Sequence, residues 1–461
     1  MFRVLRGRNY RRWAFADLVS VTGAWMQLIG LNWVVMDRTG SAASVGLSVL
    51  VGTLPSVLLG PWAGAVADRV PVRRVILVCQ SLHAVLAAAL ALVVWLHAPI
   101  TAVFALTAAA GLVSVFDGPA LGRFGGQVVA REDLGNALAF GSILNSTGRI
   151  LGMSSAAVLA AALGAPVLFL VNAVSFLAVI AAVMTVRVGE LHPLAVSTAE
   201  QAGVRAGLRY IGASGRLLLL FALGFVLSSL GRNYQVTMAA MSDSAAGYGV
   251  LSTVFAVGTV LGGLAASLRR ALTVRLLLVV AGVTSVLQAA GGLVPGALGF
   301  ALVLVPIAAG AVVIDTTMST RLQLDSTDGM RGRLLAVNSS VGAAAGAVGA
   351  PLLGWLCERI GAPETLVLAG TLTLIATVLA ATVFAAPHQR RAALAHRVLR
   401  RPRPVPAPTG HPAVPAGHGH GPRTWSGTRF RRRARVRAGA DVVTLMAEAH
   451  PASDLVAPVR G

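Results

Sequence analysis

The sequence contains no lysine: all 38 basic residues are arginine, against 17 aspartates and glutamates. A Walker-type phosphate loop needs a lysine on the phosphates, so direct ATP hydrolysis by this chain is not expected. Charge of either sign is scarce, at 12% of 461 residues, whereas 56% are hydrophobic. A water-soluble fold of this length cannot hide so much apolar surface, so lipid must be the solvent for most of it. Cysteine is nearly absent. Cys79 and Cys357 lie in or beside apolar runs and read as small buried hydrophobes, not as a disulfide or a metal pair. Paired catalytic carboxylates, metal-ligand spacings and nucleophile motifs are missing as well. The expectation is a chain that is not an enzyme and carries no cofactor and no metal. No cleavable signal peptide is expected, because the first apolar run is long, follows five arginines and lacks a cleavage site.

What is present is a series of twelve apolar runs: 13–36, 44–67, 75–96, 99–122, 138–162, 166–186, 216–238, 246–267, 274–295, 297–320, 333–356 and 363–386. Each is long enough to cross a ~30 Å hydrocarbon layer, which takes about 20 helical residues. Helices are required, since open strand edges cannot be satisfied in lipid. Arginine placement tests the count. Outside the tail, 20 arginines fall on the side shared with the N-terminus and only Arg38, Arg232 and Arg359 on the other, with Arg149 inside a span. By the positive-inside rule this predicts both termini in the cytoplasm and a multi-pass protein of the cell membrane.

The chain also repeats itself. A shift of 197 lays Gly164-Ala165-Pro166 on Gly361-Ala362-Pro363 and Gly152 on Gly349; a shift of 198 lays Asp117 on Asp315 and Arg123 on Arg321. The fold class predicted is therefore an all-α membrane protein of twelve transmembrane helices in two six-helix halves, an arrangement typical of secondary transporters. The halves are expected at 1–190 and 216–386. A cytoplasmic central loop, 191–215, carries an amphipathic helix with Val204, Leu208 and Ile211 on one face. From 387 to 461 the composition turns to Arg, Pro, Gly and His, which predicts a disordered tail. Its "RTWSGTRFRRRARVR" fits anionic lipid headgroups better than RNA, and His411, His418 and His420 read as linker rather than metal ligands.

Between the second and third runs lies "GPWAGAVADRVPVRRV", with one acid and three arginines in Asp68–Arg74. This resembles the loop signature of the major facilitator superfamily, G-x-x-x-D-R-x-G-R-R. Gly64, Asp68 and Arg69 match in place; Pro71 stands where glycine is usual, Val72 replaces the first paired arginine, and Arg73 and Arg74 follow one place late. "TGAWMQLIGLNWVVMDRTGSAASVGL", "FDGPALGRFGGQVVAREDLGNALA" and "AAGYGVLSTVFAVGTVLGG" are similar to the branch of multidrug and siderophore exporters that includes the enterobactin exporter. The resemblance covers roughly residues 1–386. It implies a conformational latch of Gly64, Asp68, Arg69, Arg73 and Asp117, in which Arg69 or Arg73 pairs with Asp117 and the contacts hold the cytoplasmic side closed. The competing reading is a positive-inside loop with solvated charges. The second half's "GGLAASLRRALTVR" has no matching acid, so the latch would be one-sided. Gly148 and Gly152 are spaced like the superfamily's antiporter motif, with Met153 in place of its proline.

Ionisable and amide side chains inside spans are the remaining candidates, since such groups are rare in lipid without a role. Arg149 is expected either to face a water-filled cavity and meet an anionic substrate or acid, or to snorkel or pair with Asp17. Asp17 and Gln27 share a face of the first helix, about 15 Å apart along the axis. Asp17 is either a proton-coupling carboxylate or a partner of Arg12. Asn32, Asn145, Asn172 and Gln235 are cavity candidates, with helix–helix hydrogen bonding as the competing role. Asp315 is read as structural. The function expected is secondary active transport, with proton-coupled export of a small hydrophobic or amphiphilic molecule of the drug or siderophore class. An uptake permease of the same fold and a non-transporting scaffold presenting the basic tail are the alternatives. Expected partners are the small-molecule substrate, protons as coupling ion and membrane lipids, with no specific nucleic acid, and the chain is expected to be a monomer.

Overall fold

A computed structural model describes residues 2–67, 70–192, 204–231, 233–269, 271–326 and 331–385. Among them the regular structure is helical. The helices are α1 (Arg8–Thr39), α2 (Ala42–Ala67), α3 (Val72–Trp95), α4 (Ile100–Gln127), α5 (Leu134–Leu163), α6 (Pro166–Thr185) and α7 (Val204–Ala213). They continue with α8 (Gly215–Gly231), α9 (Tyr234–Ala240), α10 (Ala245–Ser267), α11 (Val274–Gly291), α12 (Gly296–Leu324), α13 (Arg331–Ile360) and α14 (Ala362–Ala385). Twelve spans among these residues are long and apolar enough to cross a membrane, with α8 and α9 together forming the seventh. The protein is an all-α multi-pass membrane protein.

The surface is far more apolar than that of a soluble fold, although the core is apolar too. Phe15, Val85, Val174 and Leu302 are each more than 60% exposed, whereas Asn32, Gln80, Asn172 and Gln288 are buried. Lipid solvates the first set, and the second must find partners inside the bundle.

Short connections fold consecutive helices back on each other. Gly40 ends α1 at φ 60°, donating its N–H to Met36 O at 2.8 Å, and α2 starts two residues later. The GAP repeat has the same explanation. Gly164 (φ 83°) separates α5 from α6 and Gly361 (φ 94°) separates α13 from α14, so each repeat copy supplies a residue without a Cβ where the chain must turn. We call the end of the bundle where α1 begins the near face and the end where it finishes the far face.

α1 packs on α5 and α6, α3 on α4 and α6, and α2 on α4. The second group repeats this with α10 on α12, α11 on α12 and α14, and α8 on α13 and α14. α2 against α13 and α5 against α10 join the groups. The α2–α13 joint is tight at the far face. A Cβ on Gly46 would stand 2.3 Å from Ala350 O, and one on Gly354 2.4 Å from Ala42 O. Only glycine lets these backbones approach so closely.

One expected element is altered. The seventh span is not a continuous helix over 216–238: among the described residues Asn233 is non-helical, between α8 and α9. Asn233 compensates, donating Nδ2 to Ser229 O at 2.9 Å and Ser228 O at 3.4 Å, carbonyls left over at the end of α8. The amphipathic helix is present as α7, with Ile211 buried among Leu217, Leu220 and Leu277. Residues 193–203 of the expected central loop and the whole tail from 386 lie outside the described residues.

Candidate functional site

The seventh span is interrupted just before α9. Tyr234, Gln235 and Met238 of α9 line a cavity of about 140 Å³ at the junction of the two helix groups. Trp25 comes from α1, Arg149 and Met153 from α5, Phe255 and Thr259 from α10, and Asp315 from α12. Aromatic rings, methionines and aliphatic side chains make most of the wall, with one cation and one anion set into it. That composition suits a ligand with an apolar body and a few polar groups.

Arg149 is held in place from two sides. Its Nη2 donates to Thr259 Oγ1 at 2.8 Å, and its guanidinium lies 5.8 Å from the Trp25 ring centroid. Thr259 in turn donates to Ala256 O at 2.6 Å, so its lone pairs are free to face the guanidinium. A desolvated guanidinium over an indole face is a favourable pairing. The arginine therefore takes the cavity-facing orientation rather than the snorkelling one. Gly148 and Gly152, the antiporter-like pair, press α5 onto α1: a Cβ on Gly152 would stand 2.5 Å from Thr22 O.

Gln235 has a second contact. Asn32, fully buried on α1, donates Nδ2 to Gln235 Oε1 at 3.4 Å and to the Tyr248 hydroxyl at 3.1 Å. Asn32 thus bridges the two groups on the far side of the cavity. Its Oδ1 and the Tyr234 hydroxyl are buried and make no hydrogen bond within the protein. The other amides sit elsewhere. Asn172 Nδ2 donates to Gln27 Oε1 at 2.8 Å and Ser175 Oγ donates to Asn172 Oδ1 at 2.9 Å, a network tying α6 to α1. Asp17 and Asn145 line a separate, wider space of about 600 Å³ between α1, α4 and α5 towards the near face, with Trp13 and Tyr10. Arg12 donates to Thr185 O instead of pairing with Asp17.

Of the loop cluster, Asp68 and Arg69 lie outside the described residues and Gly64 falls near the end of α2. Arg73 Nη2 donates to Met184 O at 3.1 Å, capping the carbonyl end of α6. Asp117 is buried against α3: Gln80 Nε2 donates to its Oδ2 at 2.8 Å, and His83 Nε2 lies 3.7 Å from the same oxygen. Arg73 and Asp117 are not brought together here.

Trp25, Tyr234, Phe255 and Thr259 escaped the sequence reading, and Asp315 was assigned a structural role. Tyr234 carried a signal: "GRNYQ" interrupts an otherwise apolar span. The aromatic and threonine positions had none, because such residues are common in any transmembrane helix.

The family model described as transmembrane secretion effector matches residues 2–407. The chain is 23% identical over 380 residues to macrolide efflux protein A of Streptococcus pyogenes, covering 79% of this chain and 93% of that protein. It is 29% identical over 230 residues to the multidrug efflux pump Tap of Mycolicibacterium fortuitum, covering 47% and 55%. With the staphyloferrin A transporter of Staphylococcus aureus it shares 26% identity over 156 residues, covering 33% and 39%. The last two matches thus span about half or less of those relatives. Among solved structures, the nucleoside transporter NupG superposes with TM-score 0.69 at 12% identity, over 81% of this chain and 99% of that one. A bacterial homologue of ferroportin in its inward-facing state gives 0.60 at 14% identity, over 81% and 98%. At these identities the structural likeness speaks for the fold.

Proposed function

Because the chain belongs to the transmembrane secretion effector family of major facilitator transporters, we propose that it exports a small hydrophobic or amphiphilic molecule from the cytoplasm across the cell membrane. It does so by alternating access, in exchange for a coupling cation, with both termini and the near face in the cytoplasm. The observation that carries this reading is the cavity between the helix groups, where Trp25, Tyr234 and Phe255 supply apolar area and Arg149 supplies a fixed charge. The tight far-face joints at Gly46 and Gly354 support a resting state closed to the outside, in which substrate enters from the cytoplasm. Release outside then requires the α2–α13 and α5–α10 joints to part while the near face closes. The loop cluster of Asp68, Arg69 and Arg73, with Asp117, is proposed as the latch of that second state. The efflux pumps among the relatives favour export, and those pumps together with the staphyloferrin A transporter support a substrate of the drug or siderophore class.

The test is efflux from cells with and without the protein, screened over dyes, antibiotics and siderophores. Faster loss of a compound that depends on the protein and on Arg149 supports the reading. Net accumulation of the same compound inside cells would reverse the direction.

A further inference from the structure

Asp315 stands where two cavities meet. One is the central cavity with Arg149. The other, about 240 Å³, lies inside the second helix group between α8, α11, α12, α13 and α14, and shares Asp315 and Ala311 with the first. Asp315 is the one ionisable side chain on the wall of this annex. The remaining polar wall is Ser228, Thr284, Ser285, Ser319 and Asn338, together with Gln288 and Thr373, which donate to Leu230 O and to Ala369 O and Gly370 O.

Several of these side chains leave the pattern that most hydroxyls of the bundle follow, as Ser229, Ser252 and Thr317 also do elsewhere. The usual way to satisfy a hydroxyl in lipid is to turn it back on its own helix, as Thr107 does onto Val103 O, Thr253 onto Gly249 O and Thr377 onto Thr373 O. Among the described residues, the side chains of Ser228, Thr284, Ser285, Ser319 and Asn338 make no hydrogen bond within the protein. Thr284 and Ser285 are nevertheless only 7% and 2% exposed. Several residues with neutral oxygens and one carboxylate thus line a common space that contains no basic side chain. A water takes up about 30 Å³ of the liquid, so the annex has room for a small ion with part of its hydration shell. The carboxylate, hydroxyl and amide oxygens on this wall suit a hard cation, and a single carboxylate suits a single charge better than the several that divalent sites employ.

We propose that this annex binds the coupling cation, a single positive charge carried as a proton or a sodium ion, with Asp315 as its charged ligand and the hydroxyl and amide oxygens completing its shell. The inference rests on the exporter reading above. It also supplies the linkage that exchange requires. Asp315 faces the cavity that holds Arg149, so a cation in the annex and the guanidinium compete for one negative charge, and substrate binding at Arg149 feels the outcome. The other ionisable group on that cavity is the Tyr234 phenol. α10, α11, α13 and α14 present none to either space, and Arg216 and Arg275 stand at the near-face starts of α8 and α11.

The experiment is cation binding by the purified full-length protein, without any transported substrate. One arm measures radioactive sodium binding. The other follows the protonated-carboxyl band in infrared difference spectra between acid and alkaline buffer. The expected result is one bound sodium per protein, or one titrating carboxyl, that is lost in Asp315→Asn and retained in Asp315→Glu. Ser285→Ala and Asn338→Ala, which leave the carboxylate intact, should weaken sodium binding, or move the proton midpoint, by threefold or more in concentration. If neither signal depends on Asp315, or if both hydroxyl and amide variants leave an Asp315-dependent signal unmoved, the annex is not the cation site. That failure would leave the exporter reading standing, and absence of efflux in cells would leave the binding result standing.

Discussion

The Glu358 carboxylate of α13 accepts the backbone N–H of Ala43 at 3.2 Å, together with the Ser41 hydroxyl, and so caps the N-terminus of α2 from the opposite helix group. The first N–H groups of a helix have no partner within it and carry the positive end of its dipole. A carboxylate offered by the other group therefore favours the state in which the far face is closed. The contact is exposed, so its worth is about 0.5–1 kcal/mol, or a two- to fivefold bias between states. Glu358→Gln should shift the equilibrium towards the far-open state by that factor. Distances between spin labels at the far ends of α2 and α13 measure it; an unchanged distribution would leave Glu358 as a surface charge.

The glycine joint beneath that cap should be less forgiving. Gly46→Val places a branched side chain where even a Cβ would meet Ala350 O at 2.3 Å and Pro351 Cα at 2.8 Å. Neither neighbour is a flexible side-chain end, so the helices must separate. The expected protein inserts and folds but cannot close its far face. Thiol labelling of a cysteine at position 235 by an impermeant reagent from outside should become fast. Efflux should fall at least tenfold. Wild-type labelling and efflux would show that the joint is looser than its geometry.

Most of the architecture was legible in the sequence because lipid makes harsh demands. Twelve spans follow from hydropathy and arginine bias, and the GAP repeat read in the sequence coincides with two positive-φ turns, at Gly164 and Gly361. Side-chain partners were less legible. Gln27 and Asn32 lie on one helix, yet one bonds within its own helix group and the other across to Gln235 and Tyr248. That difference depends on helix rotation, which apolar runs without a polar stripe do not encode. Asp117 and Asp315 occupy matching repeat positions but face Gln80 and a cavity respectively, because the residues around them have diverged.

Arg149 is the charged anchor of the central cavity, and its two restraints make different predictions. Arg149→Ala removes the charge; a hydrogen bond to a charged group is worth about 1.5–3 kcal/mol, which is roughly ten- to a hundredfold in apparent affinity for a substrate that uses it. Arg149→Lys keeps the charge but loses the planar fork and its stacking on Trp25. It should retain part of the transport and Thr259→Val most of it. Transport kinetics in vesicles decide the point: equal loss in all three variants would indicate that Arg149 merely holds α5 to α10.

Orientation has its own test. If the near face is cytoplasmic, a cysteine at position 70 should react with an impermeant reagent only after the membrane is permeabilised, and one at position 41 should react in intact cells. Labelling of position 70 from outside would invert the molecule and, with it, the direction of export.

The loop latch makes the last prediction, and the surroundings of Asp117 sharpen it. In this state Gln80 Nε2 donates to Asp117 at 2.8 Å while Arg73 caps Met184 O at 3.1 Å, so the latch is not formed through Arg73. A latch that acts only when the near face closes must exchange those partners during the cycle. Asp68→Asn and Arg69→Ala should then slow transport while leaving expression and substrate affinity near normal. Each charge-assisted hydrogen bond lost is worth roughly 1–3 kcal/mol, and about 1.4 kcal/mol moves the balance of states tenfold. Asp117→Asn belongs to the same network if its effect and that of Arg69→Ala are less than additive in the double variant. Gln80→Leu supplies the control. It removes the donor that holds Asp117 in the present state, so it should ease closure of the near face rather than hinder it. If Gln80→Leu and Asp117→Asn instead depress transport alike and additively with Arg69→Ala, Asp117 is a structural acid between α3 and α4, and the arginines of the loop serve only to keep it inside.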